Sequence, residues 1–259
     1  MDAPVASLAQ SLLRAADTPH NHPRPQIDGQ SIDVEVGSAI QAAQLELRFA
    51  RGERVVGVKL GLTTADQRDA AGHYRPSVGF LTDTMVLGKD LSAAMAIAPR
   101  VEPEIVAVIS RTLEPPTVSA QDIIDAVGSV RVGIEVVDPR YPDSGFILPD
   151  ALADNSSSRA VAWSSEGVAP EAVDLAAETL SLSINGAPPV VGSGSLVMGN
   201  PMVVVVEAIE DLLASGMTIP EGFVVFTGNL AGVALDVAPG DQVRVDSDSL
   251  GSLTLDVVA

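Results

Sequence analysis

The chain has 259 residues, and 46% of them are hydrophobic, which is enough for a folded core and argues against a disordered protein. Its formal net charge of −19 at pH 7 argues against a nucleic-acid surface or an anionic membrane as partner. Cysteine is absent, which excludes thiol catalysis, thiolate metal sites and disulfide bonds. We therefore expect a soluble globular protein.

The first fifty residues are predicted to be mainly helical. Leucines at helical spacing predict a helix from about Val5 to Ala16. A proline-containing loop follows over residues 17–30, and a second helix is predicted over 36–51. Neither a signal peptide nor a membrane span is predicted, so a cytoplasmic location is expected. We divide the chain into a helical N-terminal portion, residues 1–53, and a β-rich domain, residues 54–259.

From residue 54 onward, short β-type runs dominate the pattern. Strands are predicted near residues 55–62, 79–87, 101–110, 129–138, 180–192, 222–228, 242–248 and 252–258. Two helices are predicted between them, over residues 121–127 and 202–215. Because the strands do not alternate regularly with helices, a doubly wound parallel sheet is not favoured.

The stretch RVEPEIVAVI places two glutamates at the head of an apolar strand. Alternate residues of a strand share a face, so Glu102 and Glu104 would stand side by side. The strand is apolar on both faces beyond them, which is typical of a buried strand. Glu135 lies in VRVGIEVVD, again among apolar residues.

Buried carboxylates are usually paired or bound to a metal, because an isolated buried charge is very costly. Three glutamates without cysteine or a histidine cluster suit a hard cation, and Mg²⁺ or Mn²⁺ fits best. The alternative is that these glutamates bind arginines or backbone amides at the ends of the sheet. The residues alone leave both interpretations open.

Lys59 interrupts the run VVGVKLGLT, in a chain that otherwise prefers arginine. A lysine in a partly apolar setting can carry protons or bind a substrate carboxylate. It can also be a strand-end lysine with its ammonium group in water.

Two further stretches could contact a polar ligand. The turn TGNLAG, residues 227–232, follows an apolar strand and could offer backbone N–H groups to an anion. The stretch ADNSSSR, residues 153–159, combines turn formers with hydroxyl groups. No G-x-S-x-G motif or nucleotide-binding glycine pattern occurs, which argues against a serine hydrolase or a nucleotide enzyme.

In order along the chain, these stretches resemble the 2-keto-4-pentenoate hydratase / 4-oxalocrotonate decarboxylase family of the fumarylacetoacetate hydrolase superfamily. The resemblance is carried by VVGVKLGLT, GFLTDTM, RVEPEIVAVI, GIEVVDPRY, ADNSSS, GNP, FVVFTGNLAG, PGDQVRVD and LGSLTL. It implies an α+β fold with a mixed β-sheet roll or barrel-like catalytic core, a small helical N-terminal portion and a homo-oligomer.

The resemblance also implies a site. It assigns Glu102, Glu104 and Glu135 as ligands of Mg²⁺ or Mn²⁺, and it places the family's strand lysine at Lys59. Lys59 and Ser77, which stands where the hydratases carry aspartate, are the predicted catalytic residues. The resemblance assigns substrate binding to four further positions, Asp154, Ser156, Thr227 and Gly228. The expected function is that of a lyase of aromatic catabolism acting on a small unsaturated 2-oxo or 2-hydroxy acid, and a complex with another enzyme of the same pathway is a further expectation.

The reaction depends on the far end of the pocket. Hydratases of the family usually carry Asp-aromatic-Gly where this chain has Ser77, Val78 and Gly79. An aspartate would repel a second substrate carboxylate, whereas serine would not. We therefore favour decarboxylation of 4-oxalocrotonate (2-oxo-3-hexenedioate) through an enolate, although decarboxylases tend to have tyrosine in place of Val78. The alternatives are hydration of 2-hydroxypenta-2,4-dienoate, hydrolysis of an acylpyruvate, and a catalytically silent partner subunit. Hydrolysis would need a histidine that activates water, and no histidine of this chain is suitably placed.

Overall fold

A computed structural model describes residues 2–73, 75–115, 118–142 and 147–259. The described residues form six α-helices: α1 (Ala3–Asp17), α2 (Val34–Ala50), α3 (Ala65–Ala71), α4 (Ala120–Ala126), α5 (Leu148–Ala153) and α6 (Pro201–Ala214). They form fourteen strands: β1 (Gln26–Ile27), β2 (Gln30–Ser31), β3 (Val55–Gly61), β4 (Ser77–Thr82), β5 (Asp90–Ser92), β6 (Arg100–Ile109), β7 (Val127–Val137), β8 (Ser158–Trp163), β9 (Thr179–Ile184), β10 (Val190–Ser193), β11 (Val224–Phe226), β12 (Leu235–Asp236), β13 (Gln242–Ser247) and β14 (Gly251–Val258).

Two sheets carry most of the fold. The larger has the order β4-β3-β11-β6-β7-β8, with β12 also paired to β6. The smaller has the order β10-β9-β13-β14-β5. Both sheets mix parallel and antiparallel neighbours, since β11 runs parallel to β3 and β14 runs parallel to β5. The mixed-sheet α+β architecture predicted from the sequence is therefore confirmed.

The larger sheet is buried on both faces near its centre. Alternate residues of β6 and β7, such as Ile105 and Val132, join the main core with β9, β13, β14 and the apolar side of α6. Residues on the opposite face of the sheet, including Val106 of β6 and Phe226 of β11, form a second apolar layer. A strand that is apolar on both faces needs this double cover. The glutamates of β6 and β7 project from the second face.

The N-terminal helices share a small core with a later part of the chain. Their buried residues, including Leu12 and Ile40, pack with Tyr141 and with Ala153 at the end of α5. The Asp33 side chain accepts a hydrogen bond from the Val36 N–H and so caps α2. The division of the chain at residues 53 and 54 stays a prediction, but the helical portion does not build its core alone.

Local signals predicted most elements but missed some short ones. β8 and α5 were not predicted, and β8 begins at Ser158, within the stretch of turn formers and hydroxyl residues at 153–159. The strand predicted over 79–87 is instead β4, because residues Asp83–Met85 turn into a 3₁₀ helix. Among the described residues, none of the helices is both long and apolar enough for a membrane crossing.

Candidate active site

Three glutamates converge on one face of the larger sheet. Glu102 on β6 lies directly opposite Glu135 on β7, and Glu104 lies two residues further along β6. Because side chains two apart in a strand share a face, all three carboxylates point the same way. One oxygen from each lies within 4.8 Å of the others. Register between neighbouring strands therefore assembles the cluster that the sequence predicted.

A glycine on β7 makes room for the apolar side chains that pack next to Glu104. Gly133 is the cross-strand partner of Glu104. A Cβ atom at Gly133 would lie 2.4 Å from Val106 Cγ2 and 2.8 Å from Phe226 Cε1, so no larger residue fits there. Pro103, between the two β6 glutamates, accepts a hydrogen bond from the Leu230 N–H through its carbonyl. The loop after β11 thus packs against β6 at Pro103, which has no N–H to donate to a neighbouring strand.

Lys59 reaches the same cluster from β3. Val58 and Leu60 point into the main core, which places Lys59 on the opposite face with the glutamates. The Lys59 Nζ atom lies 3.1 Å from Glu135 Oε1, and both side chains are buried. Burial lowers the pKa of Lys59, but Glu135, Glu102 and Glu104 outweigh it and raise the pKa. Lys59 is therefore a buried ammonium group rather than a strand-end lysine in water.

The glutamates themselves are electrostatically frustrated. Burial, followed by the charge of Glu135, raises the pKa of Glu102 to about 7. The same two causes raise the pKa of Glu104 well above its usual range. The single positive charge of Lys59 neutralises only one of the three carboxylates. Repulsion between the carboxylates opposes ionisation of the others.

A divalent cation fits this donor set. Glu104 Oε1 and Glu135 Oε2 are buried and accept no hydrogen bond from the described residues. The other Glu104 oxygen, Oε2, accepts a hydrogen bond of 2.7 Å from the Gly228 N–H. No arginine among the described residues forms an ion pair with the three glutamates. The carboxylate oxygens left without a donor suit a hard cation such as Mg²⁺ better than a purely structural role.

A cavity of about 400 Å³ opens beside the cluster. Its walls contain Lys59, Glu102, Ser77 and Ser156 from the predicted set, and the Ser77 and Ser156 hydroxyl oxygens lie 3.0 Å apart. A larger cavity of about 750 Å³ lies near α4 and the start of α6, and it contains none of the predicted site residues. We therefore assign the site to the smaller cavity.

Three predicted substrate-binding residues occupy other positions. Asp154 is buried outside the cavity wall, where its carboxylate accepts hydrogen bonds from Arg140 and Ser157. Thr227 is buried, and its hydroxyl donates to the Ile105 carbonyl. The Gly228 N–H is directed to Glu104. A direct contact of these three residues with substrate stays a prediction, and their observed contacts orient the loop and the cluster.

The cavity also contains residues that the sequence did not single out. Arg24 comes from the N-terminal loop and forms an ion pair of 2.6 Å with Asp150, which also lines the cavity. Arg24 also lies over the Tyr141 ring, 5.4 Å from its centroid. Asn229 lies beside Glu102 and, by hydrogen bonding, opposes the rise of its pKa. Only Asn229 had a sequence signal, its place in the turn TGNLAG.

The sequence model of the fumarylacetoacetate (FAA) hydrolase C-terminal family matches residues 62–258. The match covers most of the chain and includes the three glutamates. The chain belongs to the fumarylacetoacetate hydrolase family.

The relatives of this chain include hydratases and decarboxylases. A 4-oxalocrotonate decarboxylase of Pseudomonas putida is 34% identical over 252 residues, which cover 96% of this chain and 95% of the relative. A 2-hydroxyhexa-2,4-dienoate hydratase of Comamonas testosteroni is 33% identical over 239 residues, which cover 91% and 88%.

Among solved structures, a 4-oxalocrotonate decarboxylase from Pseudomonas putida G7, complexed with magnesium and adipate, superimposes with a TM-score of 0.89. It is 30% identical and covers 98% of this chain and 97% of its own. The predicted family and the prediction of a lyase are confirmed. The relatives include both carbon–carbon lyases and hydro-lyases, and their similar identities do not separate the two.

Proposed function

We propose that the chain is a divalent-metal-dependent lyase for a small unsaturated 2-oxo or 2-hydroxy acid. The observation that carries the proposal is the cluster of Glu102, Glu104 and Glu135 beside the Lys59 ammonium at the wall of one cavity. A cavity of about 400 Å³ is suited to a small acid. The bound magnesium of the decarboxylase relative supports the choice of metal.

Mg²⁺ or Mn²⁺ held by the three glutamates would supply Lewis-acid polarisation of a 2-oxo acid. The protein's own groups have distinct tasks. Lys59 presents a fixed positive charge to the carboxylate end of the substrate, and its pairing with Glu135 restricts its position. The Gly228 N–H holds one Glu104 oxygen and leaves the other directed at the cation site.

We further propose that the reaction is decarboxylation of 2-oxo-3-hexenedioate. The C5–C6 bond breaks, C6 leaves as CO₂, and its electron pair moves through the conjugated chain to the C2 oxygen. The product is 2-hydroxypenta-2,4-dienoate once that oxygen takes up a proton. Ser77 and Ser156 offer neutral hydroxyls in the cavity wall, and Arg24 neutralises Asp150. The wall therefore does not repel a second carboxylate as an unpaired aspartate would.

Turnover of the two acids tests the proposal. We expect the protein with Mg²⁺ to consume 2-oxo-3-hexenedioate faster than 2-hydroxypenta-2,4-dienoate, as followed by ultraviolet absorbance, and to lose activity after chelation. Lack of turnover of both acids would refute the proposed lyase.

Substitution of Ser77 tests the preference for the diacid. Ser77→Asp should lower kcat/KM for the diacid more than for the monoacid, by about tenfold, because it adds a like charge near the second carboxylate. Ser77→Ala is the matched control, since it removes the hydroxyl without adding charge. Equal losses for the two acids in Ser77→Asp would remove the reason for preferring decarboxylation.

Hydration of 2-hydroxypenta-2,4-dienoate is the second candidate. The observation that favours it is the Ser77–Ser156 hydroxyl pair, which could hold a water molecule as well as a carboxylate. Faster consumption of the monoacid in the same assay would select this reaction. The homo-oligomer, the pathway partner and the cytoplasmic location stay predictions.

A further inference from the structure

The cavity wall at Ser156 has an unusual backbone. Asn155, Ser156 and Ser157 are three successive residues with φ of 49°, 56° and 56°. Each L-residue in this left-handed region is strained, because its Cβ lies too close to the following carbonyl oxygen. Such a run persists only where the surrounding structure holds it, and it is typical of functional sites.

The side chain of Asn155 fixes this run to the outer strand of the larger sheet. Asn155 Oδ1 accepts a hydrogen bond of 2.9 Å from the Phe80 N–H. Its Nδ2 donates one of 2.9 Å to the Phe80 carbonyl. The amide thus takes the place of a neighbouring strand along β4, which has no partner strand on that side among the described residues.

A glutamine from the N-terminal helices completes this link. Gln41 on α2 is 7% exposed, and its Nε2 donates to the Val78 carbonyl at 2.7 Å and to Asn155 Oδ1 at 3.1 Å. The Gln41 amide therefore donates one proton to β4 and the other to Asn155 in the left-handed run. Neither Gln41 nor Asn155 lines the cavity.

The clearances around this link are small. A Cβ atom at Gly79 would lie 2.8 Å from the Asn155 carbonyl oxygen and 3.2 Å from Lys59 Cε. A displaced Asn155 would therefore move Ser156 relative to Ser77 and would change the space beside Lys59. An error of about 1 Å in such a contact can cost about a hundredfold in rate.

We propose that Gln41 is a positioning residue that acts through Asn155 to set Ser156 against Ser77 and so determines the acid that the cavity accepts. The inference rests on the proposed function, and it makes the helical N-terminal portion part of the specificity machinery.

Gln41→Met tests the inference, because methionine has a similar volume and no donor. The matched control is Gln44→Met. Gln44 lies one turn further along α2, is also 7% exposed and donates to the Ala153 carbonyl at 2.6 Å and to the Ile40 carbonyl at 3.5 Å; its side chain forms no hydrogen bond with Asn155 or β4 among the described residues. Both variants lose one buried amide, so the two should show a similar loss of stability in urea unfolding.

Only Gln41→Met should change specificity. We expect its kcat/KM for the preferred acid to fall by about tenfold to a hundredfold, and its preference between diacid and monoacid to narrow. Gln44→Met should keep the wild-type preference. Equal changes in the two variants would overturn the inference. If Gln41→Met does not fold, Gln41→Asn replaces it, since asparagine is too short to reach both acceptors, and wild-type specificity in Gln41→Asn would equally overturn the inference.

A double-mutant cycle separates positioning from general destabilisation. In a Ser156→Ala background, Gln41→Met should no longer alter the preference between the two acids, and additive effects would contradict action through Ser156. Binding provides a readout without turnover. Calorimetry with adipate in the presence of Mn²⁺ should show weaker adipate binding in Gln41→Met and unchanged Mn²⁺ binding. A wild type that binds adipate but turns over neither acid would refute the proposed reaction while leaving this test intact.

Discussion

At the scale of single residues, the site depends on two glycines whose lack of a Cβ atom allows close packing. Gly133 leaves the space that Val106 and Phe226 fill, and Gly228 brings its N–H close to the Glu104 carboxylate. Gly228 has φ of +103°, which favours glycine, and a Cβ there would lie 2.3 Å from Thr63 Oγ1. Its place is therefore fixed both by backbone conformation and by packing.

Gly228→Ala should destabilise the protein and weaken cation binding, because the added methyl group pushes the N–H away from Glu104. Gly240→Ala is the control, since Gly240 has a similar φ of +95° and no atom within 4 Å of the added Cβ. We expect about 1–2 kcal/mol of backbone strain in both variants and a further loss of about 1–3 kcal/mol in Gly228→Ala alone. Urea unfolding and Mn²⁺ calorimetry measure the two effects. Equal results for the two variants would contradict the packing argument.

At the scale of elements, Glu53 connects α2 to the end of β4. Its Oε2 atom accepts hydrogen bonds from Thr82 Oγ1 at 2.6 Å, Thr84 Oγ1 at 2.9 Å and Arg48 Nη1 at 2.9 Å. Burial raises the pKa of Glu53, but these hydrogen bonds outweigh it and lower the pKa below its ordinary value of 4.5. Its ionised form therefore stabilises the junction between the helical portion and the sheet.

Glu53→Gln should lower the free energy of unfolding at pH 7 by roughly 1 kcal/mol. A carboxylate with a lowered pKa stabilises the fold above its unfolded pKa, and this stabilisation is lost as the pH falls through the folded pKa. The difference between wild type and variant should therefore shrink below about pH 4.5. Urea unfolding from pH 7 to pH 3 measures it, with the exposed Glu46→Gln as control. A stability difference that grows on acidification would contradict the lowered pKa of Glu53.

At the scale of the whole molecule, the proposed cation would couple to folding through the three glutamates. Burial and mutual repulsion raise the pKa values of Glu102 and Glu104, so the protein without a cation carries unfavourable charge in its centre. A ligand that binds the folded state alone stabilises it by mass action.

Mn²⁺ at about 100 times its Kd should stabilise the wild type by about 2.7 kcal/mol and raise its Tm. Glu104→Gln should lose most of this increase at the same concentration. Glu178→Gln is the control, because Glu178 is buried in another part of the fold, where it accepts a hydrogen bond from Ser247. Equal increases of Tm in the wild type and in Glu104→Gln would refute the assignment of Glu104 to the cation.

The strands and their acidic residues were predictable, because the alternation of a strand has a period of two residues and is visible locally. That pattern set Glu102, Glu104 and Glu135 apart, and Lys59 was notable for the same reason. The sequence by itself therefore determined most strands of the larger sheet, the helical start of the chain and the acidic character of the site.

Only the tertiary structure decided which distant groups meet at the cavity. Arg24 pairs with Asp150 across 126 positions of the chain, and Gln41 reaches Asn155 across 114. No local period relates such residues, since strand order and loop path bring them together. For the same reason, Asp154, which was predicted to bind substrate, is paired with Arg140 instead. Gln41 belongs to an ordinary helical pattern in the sequence, yet it lies next to the residues that shape the site.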